Sequence, residues 1–364
     1  MSDTCTVFVE NTGESYECGF DELVLDAGLN AGLHLPHNCR GGACGECKVQ
    51  VVSGEVDPGW AMNFGIDDAE RAEGKCLICQ AKPLTPALRI RSLGEMTAVA
   101  AGEILVRPVD IRARVVASHA VTPSVREVAV ALPADAGLRF RAGMHMELAV
   151  PGVRPSRTYS MADAPDADGR APDGMLRFFV TRHAQGRASG WIHDNLAVGD
   201  HVDLRGPFGD CTWRGDEGRP LLGLAGGTGL SPVLSNLSRA LADGVDLPVL
   251  LILSVRTAAE VFALDRLEAL RHRHANFDYR VTLTREEPPE GSGWLAGRVP
   301  DWLDREVRDA ARRQCFVAGP PEFVDACAAR LTGLGAASAQ IQLDSFLSSA
   351  PAGVSASAAP DAAG

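Results

Sequence analysis

The sequence predicts a multidomain chain, α+β at its start and α/β at its end, with an antiparallel β-barrel between them. Three observations carry this expectation. Residues 1–94 hold a few short strands, one helix and a loop dense in cysteine and glycine. Residues 106–213 are short strands punctuated by Gly and Pro, the texture of an antiparallel barrel. From 214 to 347 strands alternate with helices, which argues for a parallel sheet with right-handed crossovers. A polar, Ala- and Gly-containing linker is expected at 95–105. The stretch 348–364 holds only Ser, Ala, Pro, Gly, Val and Asp, so it is expected to be disordered.

Each element has a local cause. Residues 6–9 and 15–18 read as a strand pair joined by the Asn11-Thr12-Gly13 turn. A helix is expected to start at an Asp21 cap and to run through Leu23, Ala27 and Ala31 to a Gly32 stop. Strands follow at 48–52 and 89–91. In the barrel, strands are expected at 111–118, 126–132, 144–150, 157–161, 176–181 and 201–204, with a helix at 189–195. The last region predicts strands at 221–225, 248–254, 279–284 and 315–318. Its helices are expected at 232–242, 260–270 and 321–334.

Composition narrows the function classes. The chain is 46% hydrophobic and 23% charged, as in ordinary globular proteins. Apolar runs such as 249–253 are far too short to cross a bilayer, so no transmembrane segment is expected. The Met1-Ser-Asp-Thr-Cys start carries no basic-then-apolar leader, which predicts a cytoplasmic protein. Residues 1–95 hold 15 Asp/Glu against 7 Lys/Arg, a net −8 of the chain's −12. An acidic face can steer an electron carrier onto a basic partner, or merely keep a small domain soluble. No basic stripe exists for nucleic acid.

The ten cysteines are unequal. Cys39, Cys44 and Cys47 follow the C-x4-C-x2-C spacing that holds plant-type [2Fe–2S] clusters, with a fourth thiolate from a distant segment. Gly41, Gly42 and Gly45 let the loop bend sharply and aim N–H groups at sulfur. Zinc would instead use the Cys44/Cys47 and Cys76/Cys79 pairs and leave Cys39 unexplained. Both Cys76 and Cys79 lie within reach as fourth ligand. The segment Lys75-Cys-Leu-Ile-Cys79-Gln-Ala-Lys-Pro83 resembles the end of plant-type ferredoxins, where the ligand precedes a proline by four positions, which favours Cys79. Cys5, Cys18, Cys211, Cys315 and Cys327 lack motif spacing and are expected to be inert buried thiols.

Two nucleotide signals follow. On a barrel strand, Arg157-Thr158-Tyr159-Ser160 offers a phosphate grip, a flat aromatic face and polar donors suited to a flavin's edge. Gly186 and Ser189 stand at a helix start, where free N–H groups favour pyrophosphate. Gly226-Gly227-Thr228-Gly229, followed by Pro232, joins a buried strand to a helix. Gly319-Pro320-Pro321 repeats that arrangement, and together they predict a dinucleotide crevice.

Taken in order, these motifs resemble the reductase components of bacterial aromatic-ring and related oxygenases, in the ferredoxin–NADP reductase superfamily. The likeness covers residues 4 to about 347. It implies a β-grasp ferredoxin domain with a [2Fe–2S] cluster, a β-barrel flavin domain with FAD, and an α/β nucleotide-binding domain for NADH. It further implies electron delivery to a separate oxygenase. By position, Arg157, Thr158, Tyr159 and Ser160 match the flavin strand, and Gly186 with Ser189 the flavin phosphate turn. Gly226, Gly227, Thr228, Gly229 and Pro232 match the nicotinamide turn, with Gly319 and Pro320 opposite. Phe346 resembles the aromatic residue that covers the flavin ring. The resemblance makes Ser160, Thr228 and Phe346 the residues nearest the reacting rings. Two departures stand out: Ala318 replaces a cysteine many relatives carry before the second Gly-Pro, and the tail continues past Phe346.

Arg256, at a strand end where the adenosine ribose should lie, could pair with a 2′-phosphate and select NADPH, or stack on adenine. The resemblance favours NADH. Competing functions are a reductase for a deoxysugar dehydratase or desaturase-like enzyme, and an iron–sulfur redox sensor. His37, His272 and His274, and the tryptophans Trp60, Trp191, Trp213, Trp294 and Trp302, are expected to be loop, helix-end and packing residues.

Overall fold

The structure, a computed structural model, describes residues 4–63, 65–94, 96, 105–215, 217–307 and 309–346. The expected tail at 348–364 lies outside the described residues, as does most of the expected linker. The described residues form two compact units, one within 1–100 and one spanning 101–346.

The first unit contains β1 (Thr4–Val9), β2 (Ser15–Gly19), α1 (Val24–Ala31), β3 (Lys48–Ser53), β4 (Val56–Asp57), α2 (Asp68–Ala72), β5 (Lys75–Leu77), β6 (Lys82–Pro83) and β7 (Ala87–Ser92). Its main sheet runs β2-β1-β7-β3-β5. The first and last long strands pair in parallel at its centre, and their neighbours run antiparallel, the β-grasp arrangement. Alternation sets the core: Cys5, Val7 and Val9 of β1 and Leu88 and Ile90 of β7 point inward. Asp21 is not the cap of α1. The helix begins after Leu23, and its first N–H groups are taken by backbone, Val24 donating to Ala81 O at 2.9 Å and Leu25 to Ile78 O at 3.0 Å. A distant segment therefore does what a capping side chain would have done. Gly32 ends the helix in the left-handed region, as expected.

The second unit opens with β8 (Val109–Ala120), β9 (Val125–Ala131), β10 (His145–Val150), β11 (Val153–Ser160), β12 (Met175–Thr181), α3 (Arg187–Asn195) and β13 (His201–Phe208). The antiparallel order is β11-β10-β13-β8-β9-β12. The two edge strands approach through a Met161–Phe178 bridge, so the barrel is closed only lightly on that side. There follow β14 (Leu221–Gly226), α4 (Leu230–Ala242), β15 (Val249–Val255), α5 (Leu264–Arg273), β16 (Phe277–Leu283), β17 (Leu295–Ala296), α6 (Val299–Glu306), β18 (Gln314–Gly319), α7 (Pro321–Gly333) and β19 (Ile341–Ser345). These strands form one parallel sheet, β17-β16-β15-β14-β18-β19. Every residue of β14 and β18 is buried, as a sheet covered on both faces requires. Leu251 and Leu253 pack toward α4 and α5, whereas Leu222, Leu224 and Ile252 pack toward α6 and α7.

The helix expected at 260–270 starts later. Residues 258–260 make a short 3₁₀ turn, Phe262 is buried, and Ala263 takes a left-handed φ of 56°, so regular turns begin only at Leu264. Elements β17, α6 and β19 carry no clear sequence signal. Strand β17 is only two residues long, β19 mixes Ile and Leu with Gln, Asp and Ser, and Pro300 and several charged residues obscure α6. Among the described residues no helix is long and apolar enough to cross a membrane.

Candidate functional site

Cys39, Cys44 and Cys47 lie on the loop between α1 and β3, and Cys79 on the turn after β5. Ile78 N–H donates to Cys47 O at 3.2 Å, which seats the Cys79 turn against that loop. The sulfurs then meet in two pairs. A hydrogen bond from the Cys44 thiol holds Cys39 down, to about 5, and the same bond pushes Cys44 up. Likewise the bond from Cys47 lowers Cys79 and raises Cys47. Backbone N–H groups of Gly41 and Cys44 point at Cys39 Sγ at 3.4 and 3.3 Å. The Gly42 N–H points at Cys79, and Gln80 Nε2 reaches its Sγ at 3.8 Å. Cys76 stands apart: burial pushes it up to about 12 and no thiol bond compensates.

Among the described residues, no three His, Cys, Asp or Glu side chains close around a single ion. Two sulfur pairs ringed by N–H donors match instead a two-iron cluster, which takes two thiolates per iron and hydrogen bonds to its sulfurs. The donor set therefore fits the cluster. Gly42 and Gly45 take positive φ as expected, but Gly41 does not; Arg40 does, at 50°. Its guanidinium is tied to Asp26 at 2.7 Å, which anchors the strained residue. A Cβ on Gly42 would lie 2.8 Å from Trp60 O. Trp60 itself is 41% exposed, so its expected packing role does not hold. Trp213, by contrast, is buried and donates from Nε1 to Asp243.

In the second unit, Arg157, Thr158, Tyr159 and Ser160 end the edge strand β11, whose outer side has no strand partner among the described residues. The Tyr159 ring packs on the barrel core, and burial raises its hydroxyl to about 12. Arg157 Nη1 turns back to Pro155 O and Ser156 O. Gly186 caps α3 with no side-chain bond, which leaves the helix start open to an anion. Ser189 Oγ is engaged within the turn, accepting from His183 N at 3.2 Å and donating to Gly186 O at 3.3 Å. An open edge strand, a half-buried tyrosine face and an uncapped helix start fit a flavin and its phosphates.

The nucleotide crevice is built by interlocked turns at the ends of β14 and β18. A Cβ on Gly229 would meet Ala318 O at 2.1 Å, and one on Gly319 would meet Gly226 backbone atoms at 3.0 Å. Gly227 differs: its φ is +55° and the space where a Cβ would point is open. That opening lets phosphate approach the backbone, so the turn fits a dinucleotide. Thr228 Oγ1 lies 3.1 Å from Thr181 Oγ1, the last residue of barrel strand β12. Sequence reasoning misses Thr181, since a strand-end threonine carries no motif. Pro232 is buried in α4, and Pro320 precedes α7. Phe346 N–H donates to Gly319 O at 2.8 Å, which holds this aromatic at the same end of the sheet. Arg256 is committed to Glu260, through Nε to Oε2 at 3.0 Å and a second, Nη2–Oε1 contact.

These features define an iron–sulfur flavoprotein reductase with a nicotinamide-nucleotide crevice. Residues 7–84 match the 2Fe-2S iron-sulfur cluster binding domain, 112–213 the oxidoreductase FAD-binding domain, and 224–329 the oxidoreductase NAD-binding domain. The propane 2-monooxygenase reductase component of Gordonia sp. (strain TY-5) is 30% identical, over 96% of this chain and 99% of that protein. The phenol 2-monooxygenase reductase component of Pseudomonas sp. (strain CF600) is 34% identical, over 88% of each. The crystal structure of Amycolatopsis cytochrome P450 reductase superposes with a TM-score of 0.85 at 32% identity, covering 95% of this chain and all of that one. The chain belongs to the family of oxygenase reductase components. It is an NAD(P)H-dependent oxidoreductase that passes electrons through FAD and a [2Fe–2S] cluster to an oxygenase.

Proposed function

We propose that the electron path of this reductase is built from the residues described above and that NADH is its donor. Cys39 and Cys44 would hold one iron and Cys47 and Cys79 the other, with Cys76 a buried neighbour. When bound, the flavin and cluster would supply the redox chemistry, acceptance of one hydride with its two electrons and release of those electrons singly. The protein's share is placement. Gly226, Gly227 and Gly229 admit the dinucleotide phosphates, with Gly319 and Pro320 forming the opposite wall and Pro232 fixing the helix behind. Arg157, Thr158, Tyr159 and Ser160 seat the flavin, with Gly186 and Ser189 shaping its phosphate turn. Ser160 and Thr228 offer polar atoms near the reacting rings, and Phe346 shields that face from water.

The observation that carries this reading is the Thr181–Thr228 contact, which sets the nucleotide turn directly against the flavin lobe. The bonds between Arg256 and Glu260 support NADH, because they occupy the group a 2′-phosphate would need. We divide the chain at 1–94, 106–213 and 214–347, and place it in the cytoplasm, where thiols stay reduced.

The test is anaerobic mixing with stoichiometric NADH. Rapid bleaching of both flavin and cluster absorbance is expected, followed by substrate-coupled NADH oxidation once a candidate oxygenase is added. Slow or absent bleaching sinks the reading in favour of a sensor.

A further inference from the structure

Helix α4 begins one residue after Gly229, and two of its completely buried polar residues face the barrel, not the sheet. Ser235 Oγ accepts from Gly143 N at 3.3 Å and donates to Asp163 O at 2.9 Å. Asn236 Oδ1 accepts from Trp213 N at 2.6 Å, and its Nδ2 donates to Cys211 O at 3.0 Å. Gly143 just precedes β10, Asp163 follows β11, and the 211–213 segment follows β13. Two adjacent side chains thus grip the loops at one end of three neighbouring barrel strands, one of them the flavin strand. Gly143 is shaped for this grip: a Cβ there would stand 2.5 Å from Asn236 Nδ2 and 2.2 Å from Cys211 O.

The same helix carries the nucleotide turn at its start, and the two gripping residues stand at its middle. Ser235 and Asn236 lie seven and eight residues after Thr228, about two helical turns or roughly 10–12 Å along the axis. Apolar residues would glue the lobes together as strongly. Fully satisfied buried polar groups add a unique register, since any sliding breaks several bonds in a low-dielectric interior. Further ties act in the same sense. Arg239 Nη1 donates to Pro165 O at 3.2 Å and Arg266 Nη2 to Ala162 O at 3.2 Å.

We infer that Ser235 and Asn236 are positioning residues for hydride transfer: they fix α4 against the barrel so that the Thr228 turn holds the nicotinamide in reacting register with the flavin strand. The inference rests on the proposed assignment of Thr228 to the nicotinamide turn. A bolt of this kind affects the reacting geometry without touching either ring, and displacements near 1 Å can cost on the order of a hundredfold in rate.

The test uses full-length protein with flavin and cluster bound, mixed anaerobically with increasing NADH in a stopped-flow instrument. For Ser235→Ala and Asn236→Ala, the limiting rate of flavin reduction is expected to fall at least about tenfold. The NADH dissociation constant should stay within about twofold, and flavin content and reduction by dithionite should be unchanged. If Asn236→Ala does not fold, Ser235→Ala decides alone. A limiting rate within about twofold of wild type overturns the inference, as does a loss confined to NADH affinity or flavin content. Thr228→Val separates the two levels. If it slows reduction while Ser235→Ala does not, only the positioning role fails. If neither variant slows it, the assignment of the turn fails as well.

Discussion

The cysteine loop and the nucleotide crevice are both rich in glycine, yet use it for opposite reasons. In the loop, Gly42 and Gly45 take φ values of 73° and 81°, and with Arg40 at 50° they curl the backbone so that its N–H groups face sulfur. In the crevice, Gly229 lacks a side chain because Ala318 O occupies the place where one would go. The loop is shaped first by the conformation of its own chain, with Trp60 O closing on Gly42, whereas the crevice is shaped by two turns interlocking from different strands. The loop should therefore fail through loss of its ligands, and the crevice through steric displacement.

The largest effect expected is at the sulfurs. Cys79→Ser removes half of the second pair, so the purified protein should lack the visible cluster absorbance and acid-labile sulfide. Cys76→Ser should keep both, because its burial is not accompanied by a thiol partner. The reverse pattern would reassign the fourth ligand to Cys76.

Within the crevice, two neighbouring glycines sharpen the contrast. Gly229→Ala forces a methyl into a backbone carbonyl, and overpacking of that kind typically costs about 1–3 kcal/mol. NADH-driven flavin reduction should drop with it, since the turn must shift. Gly227→Ala meets no protein atom and costs the fold only the left-handed penalty of about 1–2 kcal/mol, but its methyl enters the space a dinucleotide phosphate would need. Thermal release of flavin should therefore rank Gly229→Ala as the more damaging, while the NADH dissociation constant rises in both. If Gly227→Ala released flavin at the lower temperature, the interlocking account of the crevice would be wrong.

The same contrast explains what is legible in the sequence. Cysteine spacing is a local property, so Cys39, Cys44 and Cys47 fall together on one loop from their spacing alone. The Gly226–Gly229 turn is equally visible, because strand, glycines and helix adjoin in the chain. The cap of α1 is not, because its hydrogen-bond acceptors, Ile78 and Ala81, lie about fifty residues away, and Asp21 offers a plausible local substitute. Arg40 escapes notice since arginine has no preference for positive φ, whereas Gly41 beside it does. Thr181, Ser235 and Asn236 are invisible for a third reason. A buried polar side chain on an amphipathic helix, or a threonine at a strand end, looks like an ordinary irregularity until the distant segment it bonds is brought against it.

The smallest effect concerns coenzyme choice, where the rim of the crevice is built neither by ligands nor by interlocking but by an exposed ion pair. Arg256 is half exposed, at 51% for its side chain, and its bonds to Glu260 are open to solvent screening. Such pairs contribute on the order of 0–1 kcal/mol. Arg256→Ala should therefore change kcat/KM for NADH by no more than about fivefold, the factor 1 kcal/mol allows. Glu260→Gln is the more informative change: it keeps the shape but releases the guanidinium, which is then free to meet a 2′-phosphate. Activity with NADPH should rise severalfold while that with NADH stays nearly level, and the gain should shrink as salt is added. If wild-type NADPH activity instead collapsed in Arg256→Ala with NADH untouched, the arginine would already be reading the phosphate, and Glu260 would orient it toward that phosphate instead of withholding it.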